Sequence, residues 1–365
     1  MSGARSGSML HRVGLMLGLA LFGVLLSTCT SGPRAGDAPD RRGELVERPG
    51  DSIGRRGDEI VVAGRFFHTG VPVVLWSDPG GYDAYRTDRV FARAGAAAGD
   101  GGGATEQRAA RFGTRFEKSL DAGMLALVRR EGWTLDELRE RVDQFVLHYD
   151  ACGTSRACFR VLHDVRGLSV HFMIDVDGTI YQTLDVQERA WHATIANDRS
   201  VGVEIANIGA YGFDEADPFD RWYAIDERGP RITIPPDQGD GGLRNPHASL
   251  RPARREIVAG EVHGRVLRQF DYTPEQYESL AHLSAALSVA LPRIALEAPR
   301  DASGRVLTRA LSSEEWRAFH GILGHDHVQE NKADPGPAMD WDGVLRRARA
   351  VRSGVTLGGP APVAR

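Results

Sequence analysis

The sequence predicts an α/β fold: a mixed central β-sheet flanked by helices, with a small N-terminal β extension and an inserted segment. Three observations predict it. Gln144–Tyr149 and Ser200–Ala206 alternate with the two-residue period of a half-buried strand. An Asp177-Gly178 pair joins the β-rich runs Leu168–Asp175 and Thr179–Leu184 as a hairpin. Runs with helical spacing and capping signals lie before, between and after these strands.

At 365 residues and 39.8 kDa the chain is longer than one average domain and shorter than three, so one enlarged domain with extensions is expected. The balance of 45 Lys+Arg against 49 Asp+Glu leaves a net charge of −4 with no basic block, which argues against a nucleic-acid partner. The one long apolar run, 14 residues from Val13 to Leu26, follows Arg5, His11 and Arg12. It is short for a membrane span and reads as an export signal covering residues 1–28, and a polytopic membrane protein is excluded. Leu26-Ser27-Thr28-Cys29 resembles the lipobox of bacterial lipoproteins, with Thr28 in place of the usual Gly, Ala or Ser. That resemblance implies a lipid on Cys29 and an exported protein, held at the cell membrane or outer membrane and facing the periplasm or cell surface.

Residues 29–58, rich in Gly, Pro, Arg and Asp without apolar periodicity, read as a tether. In 59–98 the short runs Ile60–Ala63, Arg65–His68 and Val71–Trp76, separated by Gly64 and Gly70, predict the β extension, and Gly95–Ala104 reads as a linker. The main domain is expected over 106–352, with 353–365 as a tail. Leu120, Met124, Leu127 and Val128 give Ser119–Glu131 a helical stripe, and Thr134 with Glu137 is a capping box opening a second helix.

In the strand Gln144–Tyr149, Phe145, Leu147 and Tyr149 share one face, which leaves Val146 and His148 on the other. Gly153–Gly167 reads as a helix. In Val201-Gly-Val-Glu-Ile205 the same alternation puts Gly202 and Glu204 on the less bulky side. Residues 209–271 break the pattern with Gly, Pro and charge and read as the insertion. Thr273-Pro274 then opens a helix whose stripe is Tyr277, Leu280, Leu283, Ala286 and Leu287.

With Cys29 assigned to lipid, Cys152 and Cys158 remain. In an exported chain their spacing permits a disulfide closing a small loop, and two buried thiols are the alternative. No CxxC pair accompanies them to make a zinc site.

Seven of the twelve histidines fall in the windows 148–192 and 320–327. The second window continues from Gly324-His325 through Lys332-Ala-Asp334-Pro-Gly-Pro337 to Trp341, read as a non-helical loop rich in metal-ligand types. Five blocks occur in order: Val146-Leu-His148, Val170-His-Phe172 with its Asp-Gly hairpin, Ala190-Trp-His-Ala193, Ser200-Val-Gly-Val-Glu204, and this last one. Together they resemble the zinc N-acetylmuramoyl-L-alanine amidases of the class that includes anhydro-muropeptide amidases, phage amidase lysozymes and peptidoglycan recognition proteins. The Cys152/Cys158 spacing is also similar to a disulfide of the recognition proteins.

The resemblance implies Zn²⁺ on His148, His325 and Asp334, with a fourth position left for water or substrate. Two neutral imidazoles and a carboxylate suit that ion. Gly324 immediately before it favours His325 over His327 as the ligand. Glu204 matches the family's base toward the attacking water, and Lys332 a cation near the developing oxyanion. His171, Trp191 and His192 are implied to line the substrate groove. The remaining histidines read as structural or exposed: His163 and His320 on helices, and His68, His247, His263 and His282 elsewhere. The implied reaction is hydrolysis of the amide joining N-acetylmuramic acid to L-alanine in peptidoglycan or muropeptides. A non-catalytic peptidoglycan-binding module is the alternative, against which Asp334 completes a usable ligand set. A zinc peptidase would show HExxH, which the sequence lacks.

Overall fold

The computed structural model describes residues 54–91, 110–245 and 247–354. The readings of residues 1–28 as an export signal, of Cys29 as a lipid carrier and of Gly95–Ala104 as a linker fall outside them, as do most of the tether and tail. Among the described residues no helix is long and apolar enough to cross a membrane.

The chain first forms β1 (Glu59–Val62), β2 (Arg65–His68), β3 (Val73–Leu75), β4 (Phe112–Thr114), α1 (Ala122–Glu131), α2 (Leu135–Arg141) and β5 (Gln144–Tyr149). Next come α3 (Ser155–Phe159), β6 (Phe172–Ile174), β7 (Ile180–Gln182), β8 (Glu188–Ala190) and β9 (Ser200–Ile205). The insertion holds β10 (Tyr211–Gly212), α4 (Phe219–Trp222), β11 (Tyr223–Asp226), β12 (Gly229–Ile232), β13 (Val258–Val262) and β14 (Arg265–Gln269). After it come α5 (Pro274–Ala290), α6 (Ser313–Ala318), β15 (Gly321–Gly324), α7 (His325–Val328) and α8 (Trp341–Arg352).

Six strands make the central mixed sheet in the order β15-β5-β9-β6-β7-β3. All neighbours are parallel except the β6/β7 hairpin. One face buries Phe145, Leu147, Val201, Val203, Phe172 and Ile174 against Leu280, Leu283 and Leu287 of α5 and Val344 and Leu345 of α8. Each such side chain contributes roughly 1.5–3 kcal/mol by leaving water. The opposite face carries two smaller clusters: Met173 and Tyr181 pack with Phe159 and Leu162, and Val146 packs with Leu323 and Val328. Between those clusters, on the same face, stand His148 and Glu204.

The capping signals work as read. Thr134 and Glu137 form the box of α2, and Thr273 and Gln276 form that of α5, with Pro274 in its first turn. Several expectations are corrected. Helix α1 starts three residues later than the apolar spacing indicated, capped by Asp121, and Leu127 of its stripe is exposed. The predicted helix at 153–167 is α3 followed by a π-helical stretch, Arg160–Arg166, which ends on Gly167 in the left-handed conformation. His320 lies between α6 and β15 and bonds Asp143 at 2.8 Å, so it is not helical. His325 to Val328 form one helical turn where a loop was expected. Strand β3, from the N-terminal β extension, is the edge of the central sheet itself.

The insertion is folded. Strands β10, β14 and β13 form a three-stranded sheet, and β11 and β12 a hairpin, around a core of Phe219, Trp222, Tyr223, Ile232 and Phe270. Its attachment to the main domain is specific: Asp177 Oδ2, in the β6/β7 turn, accepts from the backbone of Arg244 and Asn245 at 2.6 and 2.8 Å. Gly153 has φ +78°, and a Cβ there would come within 2.5 Å of the Trp222 ring.

Gly153→Ala is therefore expected to cost roughly 2–4 kcal/mol, combining a left-handed backbone with displacement of Trp222. Gly167→Ala, at φ +65° with open space around the added carbon, should cost only the backbone part. Urea midpoints at equal slope check this; equal losses in the two variants would mean that Trp222 docking contributes nothing.

Candidate metal centre and catalytic cavity

Three parallel strands deliver the site. In the register of β5 with β9, His148 lies directly beside Glu204. β15 runs along the other side of β5, pairing Gly324 with Leu147, so that His325 emerges level with His148 as the first residue of α7. Gly324 is needed for close approach: a Cβ there would sit 2.0 Å from Asp326 Oδ1 and 2.6 Å from Pro335 Cδ. With no side chain at 324, the 329–338 loop folds back over the strand end, held by Asp326 N donating to Asp334 O at 2.9 Å.

That fold-back places Asp334 Oδ2 at 2.8 Å from His148 Nδ1 and 2.9 Å from His325 Nδ1. The three ligand atoms lie within 4.8 Å of one another, and all three residues are buried. The far nitrogens are engaged as well. His325 Nε2 donates to Gln329 Oε1 at 2.8 Å, and His148 Nε2 is 3.1 Å from His192 Nδ1. Partners of this kind fix ring orientation and direct the Nδ1 positions to the centre.

The electrostatics suit a cation. Burial, joined by the nearness of His325, lowers His148 to about 4, so its imidazole is neutral at neutral pH. Burial acts to raise Asp334, but the bonds from His148 and His325 outweigh it and hold the carboxyl below its ordinary range. A neutral His148 imidazole and an ionised Asp334 carboxylate are the forms in which these two groups bind zinc.

His327, two residues on, is excluded from the centre. Its Nδ1 accepts from Gly324 N at 2.8 Å and its Nε2 donates to Leu307 O at 2.7 Å, which turns the ring away from the triad.

A cavity of about 190 Å³ opens beside the triad, and Glu204, Lys332, Trp191 and His192 line it. The Glu204 carboxyl is raised, first by burial and then by the charges of Asp334 and Asp150. His192 lies flat over β9 because residue 202 is glycine; a Cβ there would meet the ring at 2.6 Å. His171, expected in the groove, is instead fully buried behind it. Its Nδ1 accepts from Gly202 N at 3.1 Å, and its Nε2 lies 2.9 Å from Arg115 Nη2 and 3.0 Å from Glu188 O. The strand alternation that exposes His148 to the cavity is interrupted at His171, which precedes β6 and points under Gly202.

Cys152 and Cys158 also border the cavity and stand as free thiols packed in one cluster, so no disulfide is formed in this structure.

Sequence reading missed three supporting residues. Arg115 is a buried guanidinium bonded to the Val186, Asn197 and Asp198 carbonyls, which braces the segment before β9. Gln329 orients His325 and carried no motif signal. Asp150 accepts through Oδ1 from the backbone of Cys152, Gly153 and Asn207, tying the ends of β5 and β9 together. Its place two residues after His148, at a strand end, was the available clue.

No curated protein matches the chain. Among solved structures, a selenomethionine derivative of AmpD is 20% identical, covering 60% of this chain and 87% of that one at a TM-score of 0.27. AmiD of E. coli, an N-acetylmuramyl-L-alanine amidase, is 16% identical over 60% of this chain and 59% of its own, at a TM-score of 0.31. The endolysin amidase LysCS of Clostridium intestinale is likewise 16% identical, over 60% and 88% at 0.29. The family model described as N-acetylmuramoyl-L-alanine amidase matches residues 138–337, more than half of the chain and inclusive of His148, Glu204, His325, Lys332 and Asp334, so the chain belongs to the N-acetylmuramoyl-L-alanine amidase family.

Proposed function

We propose that this amidase cleaves the bond between the lactyl group of N-acetylmuramic acid and L-alanine with a zinc ion held by His148, His325 and Asp334. The observation that carries the reading is the convergence of two Nδ1 atoms on one Asp334 oxygen at the mouth of a cavity lined by Glu204 and Lys332. When bound, zinc supplies Lewis-acid polarisation of the amide carbonyl and acidifies the attacking water.

The chain's own groups do the rest. Glu204 takes a proton from the attacking water as its oxygen bonds to the carbonyl carbon, then hands that proton to the alanine nitrogen as the C–N bond breaks. A carboxyl raised above its ordinary range is suited to both halves of this exchange. Lys332 presents an ammonium to the oxygen that gains negative charge. Trp191 offers an apolar wall against the sugar or the first residue of the peptide, and His192 holds the His148 ring from behind.

The same reading extends to location. The export signal and the Cys29 lipobox support a lipoprotein that acts on wall close to the membrane holding it. An oxidising compartment and the packing of both cysteines in one cluster beside the cavity support closure of Cys152–Cys158 into a disulfide in the exported protein.

Chelation is expected to abolish hydrolysis and Zn²⁺ to restore it; His325→Ala should lose both metal and activity, while His327→Ala should keep its zinc. Elemental analysis beside product mass spectrometry checks this, and full turnover by metal-free protein would sink the zinc mechanism.

Glu204→Gln should hold about one zinc per chain yet lose on the order of 10²- to 10⁴-fold in kcat. Near-normal turnover in that variant would reduce Glu204 to a structural carboxylate.

Cys29→Ser should move activity from the membrane to the soluble fraction without changing the specific activity of the purified protein. Mass spectrometry of exported wild type reads the lipid on Cys29 and the state of the Cys152–Cys158 pair together; an unmodified Cys29 would refute the anchor, and free thiols the disulfide.

A further inference from the structure

We propose that His263, at the tip of the inserted β13–β14 hairpin, is a positioning residue for Lys332. This rests on the reading of Lys332 as the cation facing the scissile carbonyl. Four observations carry it.

The hairpin turn is made of two residues, His263 and Gly264, at φ +51° and +74°, flanked by the pair Val262 and Arg265. Two successive positive φ angles match the twist of the strands, and Asn or Asp is the favoured first residue of such a turn. Histidine gives up that local fit. Its imidazole instead reaches outside the hairpin: Nε2 donates to the Lys332 carbonyl at 2.9 Å.

The hairpin tip is itself anchored, because His263 N donates to Thr308 O at 2.8 Å. The body of the hairpin lies on the same loop farther along. A Cβ on Gly260 would come within 2.8 Å of Pro337 Cβ, and Gln269 donates to Pro335 O at 3.2 Å and accepts from Ala338 N at 3.0 Å. The loop is thus fastened after Asp334 by β14 and at Asp334 by two imidazoles. Before Asp334, the Lys332 backbone is held by its own N–H to Gln329 O at 3.2 Å and by the bond from His263.

A lysine ammonium sits at the end of a flexible four-carbon stem, so the volume it samples is set by where its backbone is pinned. Fixing the Lys332 carbonyl fixes the root of that stem at the cavity rim. Through this hydrogen bond the insertion acts on the Lys332 stem in particular.

The test uses the full chain loaded with zinc, acting on a muropeptide carrying the lactyl-L-alanine amide. His263→Asn keeps a residue suited to the turn but is too short to reach the carbonyl, whereas His263→Gln places an amide nitrogen near the position of Nε2. His263→Asn should lower kcat roughly three- to tenfold, the factor of one net hydrogen bond, with KM, zinc content and melting temperature held at or above the parent's values. His263→Gln should recover most of the loss. In a Lys332→Ala background the Asn substitution should have no further effect. Parental kcat in His263→Asn, a loss matched by lost zinc or lower melting temperature, failure of Gln to recover it, or an equal loss in the Lys332→Ala background would each overturn the inference. If Lys332→Ala itself retains full kcat, the functional reading of Lys332 falls, and the role of His263 falls with it.

Discussion

A single buried oxygen, Asp334 Oδ2, is the constraint around which the site is built. An ionised carboxylate in the interior is tolerated only when donors surround it. Here the Nδ1 atoms of His148, on β5, and of His325, directly after β15, face that oxygen. For both to reach one oxygen, β15 and β5 must lie side by side in a fixed register, Gly324 must leave room at the strand end, and the loop must return across it. The central sheet, with its heavy packing against α5 and α8, keeps the strand ends in register so that the fold-back is repeatable. The far-side bonds of the two rings, to His192 and Gln329, extend the same requirement outward by one layer.

The insertion belongs to this scheme. A loop that must carry both Asp334 and Lys332 across a strand end has few regular backbone bonds of its own, and unpaired backbone groups are costly where they are buried. The inserted sheet and the residues leading into α5 supply partners: Gln269 bridges Pro335 and Ala338, Tyr272 OH donates to Pro335 O at 2.7 Å, and Arg254 donates to Ala338 O. The insertion is in turn held to the β6/β7 turn by Asp177. Support for the metal loop therefore passes from the hairpin turn through the insertion and back to the site.

What was legible in the sequence follows from which patterns are local. Two-residue alternation placed Val146 and His148 on one face and Glu204 beside Gly202, and the structure puts those faces together because both strands bury their other side under α5. Capping chemistry located the starts of α2 and α5. Gly324 pointed to His325 for a steric reason that the coordinates make explicit. Contacts between distant segments were not legible. Nothing local tells that Val73–Leu75 pairs with Ile180–Gln182, that Arg115 reaches carbonyls some 70 residues away, or that Gly- and Pro-rich stretches of the insertion close around Phe219 and Trp222. His171 misled because it precedes β6, where strand alternation does not reach, and the Gly202 N–H and the buried Arg115 guanidinium engage its ring.

The charge balance of the cavity links this architecture to its chemistry. Glu204 is raised by burial and then by the charge of Asp334, so the two carboxylates compete for the ionised state within one low-dielectric space. Asp334 is lowered by its contacts with His148 and His325, and Glu204, with no such partner among the described residues, keeps its proton more readily. A divalent charge held at the triad would offset the negative charge of Asp334 and remove part of what raises Glu204. Burial would remain as a moderating influence on the carboxyl that the proposed reaction requires to accept one proton and release it again. Placing Glu204 directly beside His148 in the strand register, on a face kept small by Gly202, sets that compromise. Glu204 is close enough to feel the Asp334 charge yet shares no hydrogen-bond donor with it among the described residues, so in the proposed reaction the sheet geometry that assembles the triad leaves Glu204 able to move a proton.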